Sequence, residues 1–318
     1  MFFKILMKWM ILITILISIS CNSWFIYWLM MEMNLLFFIP FLNKKKMTDS
    51  NSMITYFVIQ SFSSTIFMMS ALMFVFVNTM KMLIIISMMI KLAIIPFHFW
   101  MISISEMLNF DSLFLILSFQ KFIPMYILSK FNHPYLKVFA LISSIMSSML
   151  ALNSKMIKKM LIFSSISHQG WMIMLFLMKS KFWFLYLMVY TFLIFKITKL
   201  MKMLKFNSIS NFSNSNMNSW NKISLITMMM SLGGMPPFMG FFLKIISIFI
   251  FLNNFNFSII ILIISSMINI FFYLNLIQPY FIINLIKFKI TSFKMILKNF
   301  FLNLNMFLIL FLLNLMIF

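Results

Sequence analysis

The sequence predicts an all-α, polytopic membrane protein of about eleven transmembrane helices. Three observations carry this expectation. The chain of 318 residues is 64% hydrophobic and 9% charged, with a mean hydropathy of +1.07, more apolar surface than one soluble core could hide. Apolar runs of about 20 residues, the length that crosses a hydrocarbon core, recur from end to end. The lysines sit mostly between those runs, so the net charge of +21 marks membrane-flanking loops rather than a nucleic-acid site.

In chain order the runs are 2–20, 24–42, 53–77, 80–101, 112–130, 134–152, 160–178, 181–201, 223–250, 257–281 and 299–318. The first, with Lys4 and Lys8 ahead of I-S-C, has the outline of a signal peptide, but it is long enough to span and is read as a retained helix. The polar stretches N-K-K-K-M-T-D-S-N-S (43–52) and N-S-K-M-I-K-K (153–159) are loops, and Asn/Ser-rich 207–221 separates the eighth run from the ninth. The fourth run contains K-L-A-I-I-P-F-H-F-W. The ninth contains S-L-G-G-M-P-P-F-M-G-F-F-L-K, with three of the four glycines and two of the seven prolines. Pro236 and Pro237 remove two backbone donors, so no helix passes through them unbroken.

All 25 basic residues are lysine and 38 residues are methionine, as expected of a very AT-rich gene read with a mitochondrial code. On the eleven-helix reading, 16 lysines fall on the side of the N-terminus, five on the other and four within spans. By the positive-inside rule the N-terminus then faces the inner compartment, the matrix, and the C-terminus the intermembrane space. The Pro-Phe breaks of the fourth and ninth runs lie five helices apart, so the second unit enters the membrane from the opposite side. That is the pattern of inverted repeats built around two discontinuous helices: a first repeat over about 1–130, a second over about 134–281 and a C-terminal helix over about 299–318, within a single domain.

Charges inside the membrane are the candidate functional groups. Glu32 lies about 12 Å along the second run, Lys91 about 16 Å along the fourth and Lys121 about 14 Å along the fifth, all near the middle of a core about 30 Å thick. Lys244 follows the break in the ninth. A charge at the bilayer centre costs about 2.5–3.5 kcal/mol on insertion scales, so pairing or hydration is expected, and Glu32 is the one carboxylate well inside a run. Low dielectric disfavours the ammonium form of a buried, unpaired lysine, and a carboxylate brought near restores it. Moving one group relative to the other would load and unload a proton without a cofactor. A static Glu–Lys pair serving packing, and a purely structural kink at Pro236–Pro237, stand beside this reading. Lys196, near a helix end, is expected to snorkel to the surface. His98 and His168 fall within runs; a structural hydrogen bond and a proton relay are both open for them, and two lone histidines do not make a haem site. With one cysteine, Cys21, the chain can form neither an internal disulfide nor a multi-cysteine iron–sulfur site.

Taken together, W-L-M-M-E-M-N-L-L-F-F-I-P, K-L-A-I-I-P-F-H-F-W, S-F-Q-K-F-I-P, K-K-M-L-I-F-S-S-I-S-H-Q-G-W-M and S-L-G-G-M-P-P-F-M-G-F-F-L-K, in this order from about Leu29 to Lys244, resemble the NADH dehydrogenase subunit 2 family of mitochondrial respiratory complex I. The resemblance implies an antiporter-like fold of fourteen helices, of which animal members lack three, and a role in redox-driven proton pumping in the inner membrane. It implies that Glu32 pairs with Lys91, that Lys121 is the central relay, that Lys244 is nearest the exit and that His98 lines the aqueous axis; at His168 the family is less strictly of one type. It further implies no cofactor in this chain, with NADH, FMN, iron–sulfur clusters and ubiquinone handled by other subunits. The partners would be those subunits, neighbouring antiporter-like ones above all, and membrane lipids. Ile102 and Ser103 stand where the family usually has Pro-Glu, leaving Glu106 as the nearby carboxylate. A cation/proton antiporter and a passive subunit closing the membrane arm are the rival functions.

Overall fold

Apolar runs whose backbone cannot bond to lipid satisfy their donors and acceptors internally as helices. A computed structural model describes residues 2–42, 47–74, 79–204, 219–236, 238–252 and 257–287, and among them there is no β-strand. The helices are α1 (Phe2–Ser20), α2 (Trp24–Leu42), α3 (Met47–Met73), α4 (Met80–Leu92), α5 (Phe99–Ser105), α6 (Phe110–Leu117), α7 (Phe119–Leu128), α8 (Pro134–Leu152), α9 (Ile157–Leu177), α10 (Phe182–Leu204), α11 (Ser219–Gly233), α12 (Met239–Leu252) and α13 (Ser258–Lys287). Among the described residues, eight helices are long and apolar enough to cross a membrane, α6 and α7 together making one of them. The expected final helix at 299–318, and most of the 207–221 linker, lie outside the described residues.

Two packed groups are evident. In the first, α1 packs on α2, α2 on α3, α3 on α4 and α4 on α7, and α7 returns to α1. In the second, α8 packs on α9, α9 on α10, α10 on α11 and α11 on α13, and α13 returns to α8. The groups meet through α6 against α9 and α10, and through α5 against α9. Helix α9 is the centre of the molecule, 94% buried along its span. It can be so because its neighbour α8 presents a seam of small residues, Ala140, Ser143, Ser144, Ser147, Ser148 and Ala151, all buried. A Cβ on Gly170 of α9 would lie 2.8 Å from the Ala140 carbonyl oxygen and 2.9 Å from Ser144 Cβ. The backbones approach as closely as small residues permit in lipid, where no hydrophobic drive pulls helices together. Large apolar side chains such as Trp9, Phe62, Met69, Phe249 and Phe271 point outward, as a lipid-facing surface requires.

Both expected breaks are present and end in the same way. After α4, Ala93 adopts a left-handed conformation (φ 57°), its amide donating to Ile90 O and that of Ile94 to Met89 O, each at 3.1 Å. After α11, Gly234 is left-handed (φ 80°) and the Met235 amide donates to Met230 O at 3.2 Å. Each is a Schellman-type stop, followed within three residues by a proline, Pro96 or Pro236. A third interruption is new. The run expected as one helix over 112–130 divides at Ser118 (φ −116°, ψ −90°), whose hydroxyl donates to Phe114 O at 2.5 Å. This side-chain bond to the preceding turn is the physical cause that the apolar pattern hides. Lys158 also departs from expectation. It lies in the first turn of α9 rather than in a loop, buried, and donates to Glu106 O at 3.3 Å and Leu108 O at 2.7 Å.

Candidate functional site

Each interruption places a lysine. Lys91 occupies the last turn of α4, where the carbonyl end of the helix favours a cation, and Lys121 the first turn of α7, where the amide end does not. The α4 terminus is held by two side chains from elsewhere: Trp100 Nε1 donates to Ile90 O at 3.1 Å and Gln169 Nε2 to Leu92 O at 3.2 Å. Lys91 and Lys121 line one small polar cavity, together with Tyr56, Gln60, Trp100 and Gln120, which has room for about one water molecule. Gln120 in turn donates to Asn34 Oδ1 at 3.1 Å, tying α7 to α2 two residues beyond Glu32.

Glu32 is half-buried and accepts a hydrogen bond from the Ser64 hydroxyl of α3. Its charge acts on Lys91, but the expected Glu32–Lys91 pair is not a contact ion pair. Among the described residues, the ion pairs are Lys159–Glu106 and Lys202–Asp111, each at 2.5 Å. The reason is the packing: α3 lies against both α2 and α4 and offers Ser64 to the carboxylate first.

Lys244, in α12, reaches back across the second break and donates to Gly233 O at 2.6 Å, an orphan carbonyl at the end of α11. Gly234 makes room for it, since a Cβ there would meet Lys244 Nζ at 2.7 Å and Cε at 2.9 Å. A Cβ on Gly240 would collide with the Ser231 carbonyl oxygen, so α12 starts directly against the last turn of α11.

His168, on central α9, lies within the electrostatic reach of both Lys121 and Lys244, its Nδ1 2.8 Å from the Tyr186 hydroxyl. His98 is placed differently. It sits in the first break with Nδ1 3.2 Å from Pro96 O and its ring 4.3 Å from that of Phe99, and it is not among the residues lining the Lys91–Lys121 cavity. Lys196 lies 4.5 Å over the Phe192 ring centroid.

Known proteins share this arrangement of helices. The profile of the NADH:quinone oxidoreductase/Mrp antiporter transmembrane family matches residues 74–272. NADH-ubiquinone oxidoreductase chain 2 of Rhipicephalus sanguineus is 47% identical over 311 residues, 97% of this chain and 99% of that one. The chain belongs to the NADH-ubiquinone oxidoreductase chain 2 family. The chain 2 protein of Anopheles gambiae is 33% identical over 86% of this chain and 85% of its own length. Two solved structures have the same fold. In respiratory complex I from Thermus thermophilus with bound aureothin, one chain matches with a TM-score of 0.79 at 17% identity, covering 87% of this chain and 70% of that one. In the Mrp complex from Dietzia sp. DQ12-45-1b the TM-score is 0.77 at 14% identity, over 85% of this chain and 59% of that one.

The family profile takes in Lys91, His98, Lys121, His168 and Lys244 but begins after Glu32. Several polar partners were not singled out from sequence: Ser64, Asn34, Gln120, Gln169 and the tyrosines of α10. Gln120 carries a signal, being a polar neighbour of Lys121 within an apolar run. The tyrosines carry none, because aromatic residues are as ordinary in a lipid-facing stripe as in a buried one.

Proposed function

We propose that the chain is a proton-translocating subunit of the membrane arm of NADH:ubiquinone oxidoreductase in the mitochondrial inner membrane, working beside other antiporter-like subunits. The observation that carries this reading is that Lys91 and Lys121, from two different helices, face one polar cavity in the membrane interior. A water there would accept a proton from one ammonium and pass it to the other amine, with the Glu32 carboxylate close enough to act on Lys91. Lys244, bonded to the carbonyl end of α11, is the group from which the proton leaves, and the break around it gives water its way in. Redox energy is released in other subunits. With one cysteine, this chain offers no multi-cysteine iron–sulfur site, and on this reading NADH, FMN and ubiquinone are handled by other subunits.

The matched succession of neighbours in the two helix groups, and the two similar helix stops, support a first repeat over about 1–130 and an inverted second over about 134–281. The lysine bias supports a matrix N-terminus and an intermembrane-space C-terminus.

In an assembled complex reconstituted into vesicles, Lys121→Ala should lower the protons moved per NADH oxidised. An unchanged ratio would favour the passive structural reading. The cation/proton antiporter reading, which the fold shared with the Mrp complex keeps in view, is separated by what copurifies after mild detergent extraction: flavin and iron–sulfur subunits support the oxidoreductase, and their absence the antiporter.

A further inference from the structure

Lys121, His168 and Tyr190 come from three helices, α7, α9 and α10, and meet where the first helix group joins the second. The Lys121 ammonium lies 5.7 Å from the centroid of the Tyr190 ring. The His168 ring lies 5.3 Å from that same ring, tilted by 46°. Tyr190 is 2% exposed, so lipid and bulk water do not reach it. Three buried polar atoms near this point make no close hydrogen bond, Lys121 Nζ, His168 Nε2 and the Tyr190 hydroxyl, although Tyr190 has Ser165, and His168 the Leu232 backbone, as polar neighbours. Leaving a buried polar group without a partner is costly, and each such group in a native interior has a cause, bound water and chemical use among them. Here three gather about one side chain.

The histidine ring is anchored at one nitrogen by Tyr186. In the tautomer whose Nδ1–H donates to the Tyr186 hydroxyl at 2.8 Å, Nε2 carries the free lone pair. Lys121 is the donor on the other side, its flexible four-carbon stem able to swing the ammonium from the ring face to the ring edge.

We propose that Tyr190 joins the two helix groups as a proton carrier, its hydroxyl passing the proton between Lys121 and His168. This rests on the reading of Lys121 as a proton-carrying group. In the step, a Lys121 N–H breaks and its proton goes to the Tyr190 oxygen as the phenol's own proton goes to His168 Nε2. One N–H and one O–H are broken, one O–H and one N–H are formed, and Tyr190 is neutral before and after. The positive charge moves from Lys121 to His168, from which Lys244 is the next cation.

The experiment measures NADH oxidation and proton uptake together in vesicles holding the assembled complex. Tyr190→Phe keeps the ring that faces the ammonium and removes only the hydroxyl, whose polar neighbour is Ser165. The ratio of protons to NADH is expected to fall as far as in Lys121→Ala, and Tyr190→His, which puts a proton-carrying group back on the ring, is expected to recover part of the loss. A Phe variant with the wild-type ratio, beside a Lys121→Ala variant with a lowered one, overturns the Tyr190 step and leaves the lysine reading standing. Wild-type ratios in both variants overturn the lysine reading itself. If the Phe variant does not assemble, Tyr190→His against Tyr190→Leu decides: equal pumping overturns the proposal, and pumping in the His variant alone supports it.

Discussion

At the scale of single residues, the membrane charges are held by carbonyl groups and hydroxyls rather than by opposite charges. Lys244 takes Gly233 O, Glu32 takes Ser64, and Lys121 lies against an aromatic face. At Lys244 the helix interruption makes this possible, because it frees carbonyls that would otherwise be bonded along the helix. Gly234 serves twice, as a left-handed residue and as the floor under the Lys244 stem. Gly234→Ala would cost about 1–2 kcal/mol in backbone conformation and would push the ammonium off Gly233 O. We expect that variant to assemble and to lose proton pumping, read as protons per NADH. Unchanged pumping would show that the Lys244–Gly233 bond is incidental.

At the scale of elements, the contact between α8 and α9 sets the position of everything buried in the second group. Gly170 is its tightest point, with the Ala140 carbonyl and Ser144 Cβ each within 3.0 Å of an added Cβ. Helices would have to move apart to admit it, and overpacking of this kind costs about 1–3 kcal/mol. Gly170→Ala is therefore expected to lower the unfolding temperature of the complex in mild detergent. Ser144→Gly, in the same background, should restore part of that temperature but not all, since the Ala140 carbonyl remains. No rescue would place the strain elsewhere.

At the scale of the whole molecule, the two helix groups are fastened together by polar ties as well as by apolar packing. Lys158, from the first turn of α9, binds two carbonyls of the connection between α5 and α6. Next to it, Lys159 pairs with Glu106, the two side chains 27% and 49% exposed. A hydrogen bond to a buried charged group is worth about 1.5–3 kcal/mol, whereas an exposed ion pair contributes about 0–1 kcal/mol. Lys158→Met should thus destabilise the complex clearly more than Lys159→Met does, measured as the temperature at which the subunit separates. Equal effects would mean that the Lys158 bonds do not fasten the groups.

What the sequence determined by itself was whatever depends on local chemistry. Runs of about 20 apolar residues must be helices in lipid, Pro236 must interrupt one of them, and lysines must crowd the loops. For the same reason Glu32, Lys91, Lys121 and Lys244 stood out, each a charge where charge is costly. The tertiary structure decided which of these groups meet. It put α3 beside α2, so that Glu32 bonds to Ser64 instead of touching Lys91. It divided the helix at Ser118, brought Lys121 and Lys91 to one cavity, and left His98 among aromatic side chains away from it. Above all it brought the Tyr190 ring near both Lys121 and His168. A hydropathy pattern records how deep a residue lies along its own helix; the rotation of that helix and the identity of its neighbours are set by side-chain packing across the whole bundle.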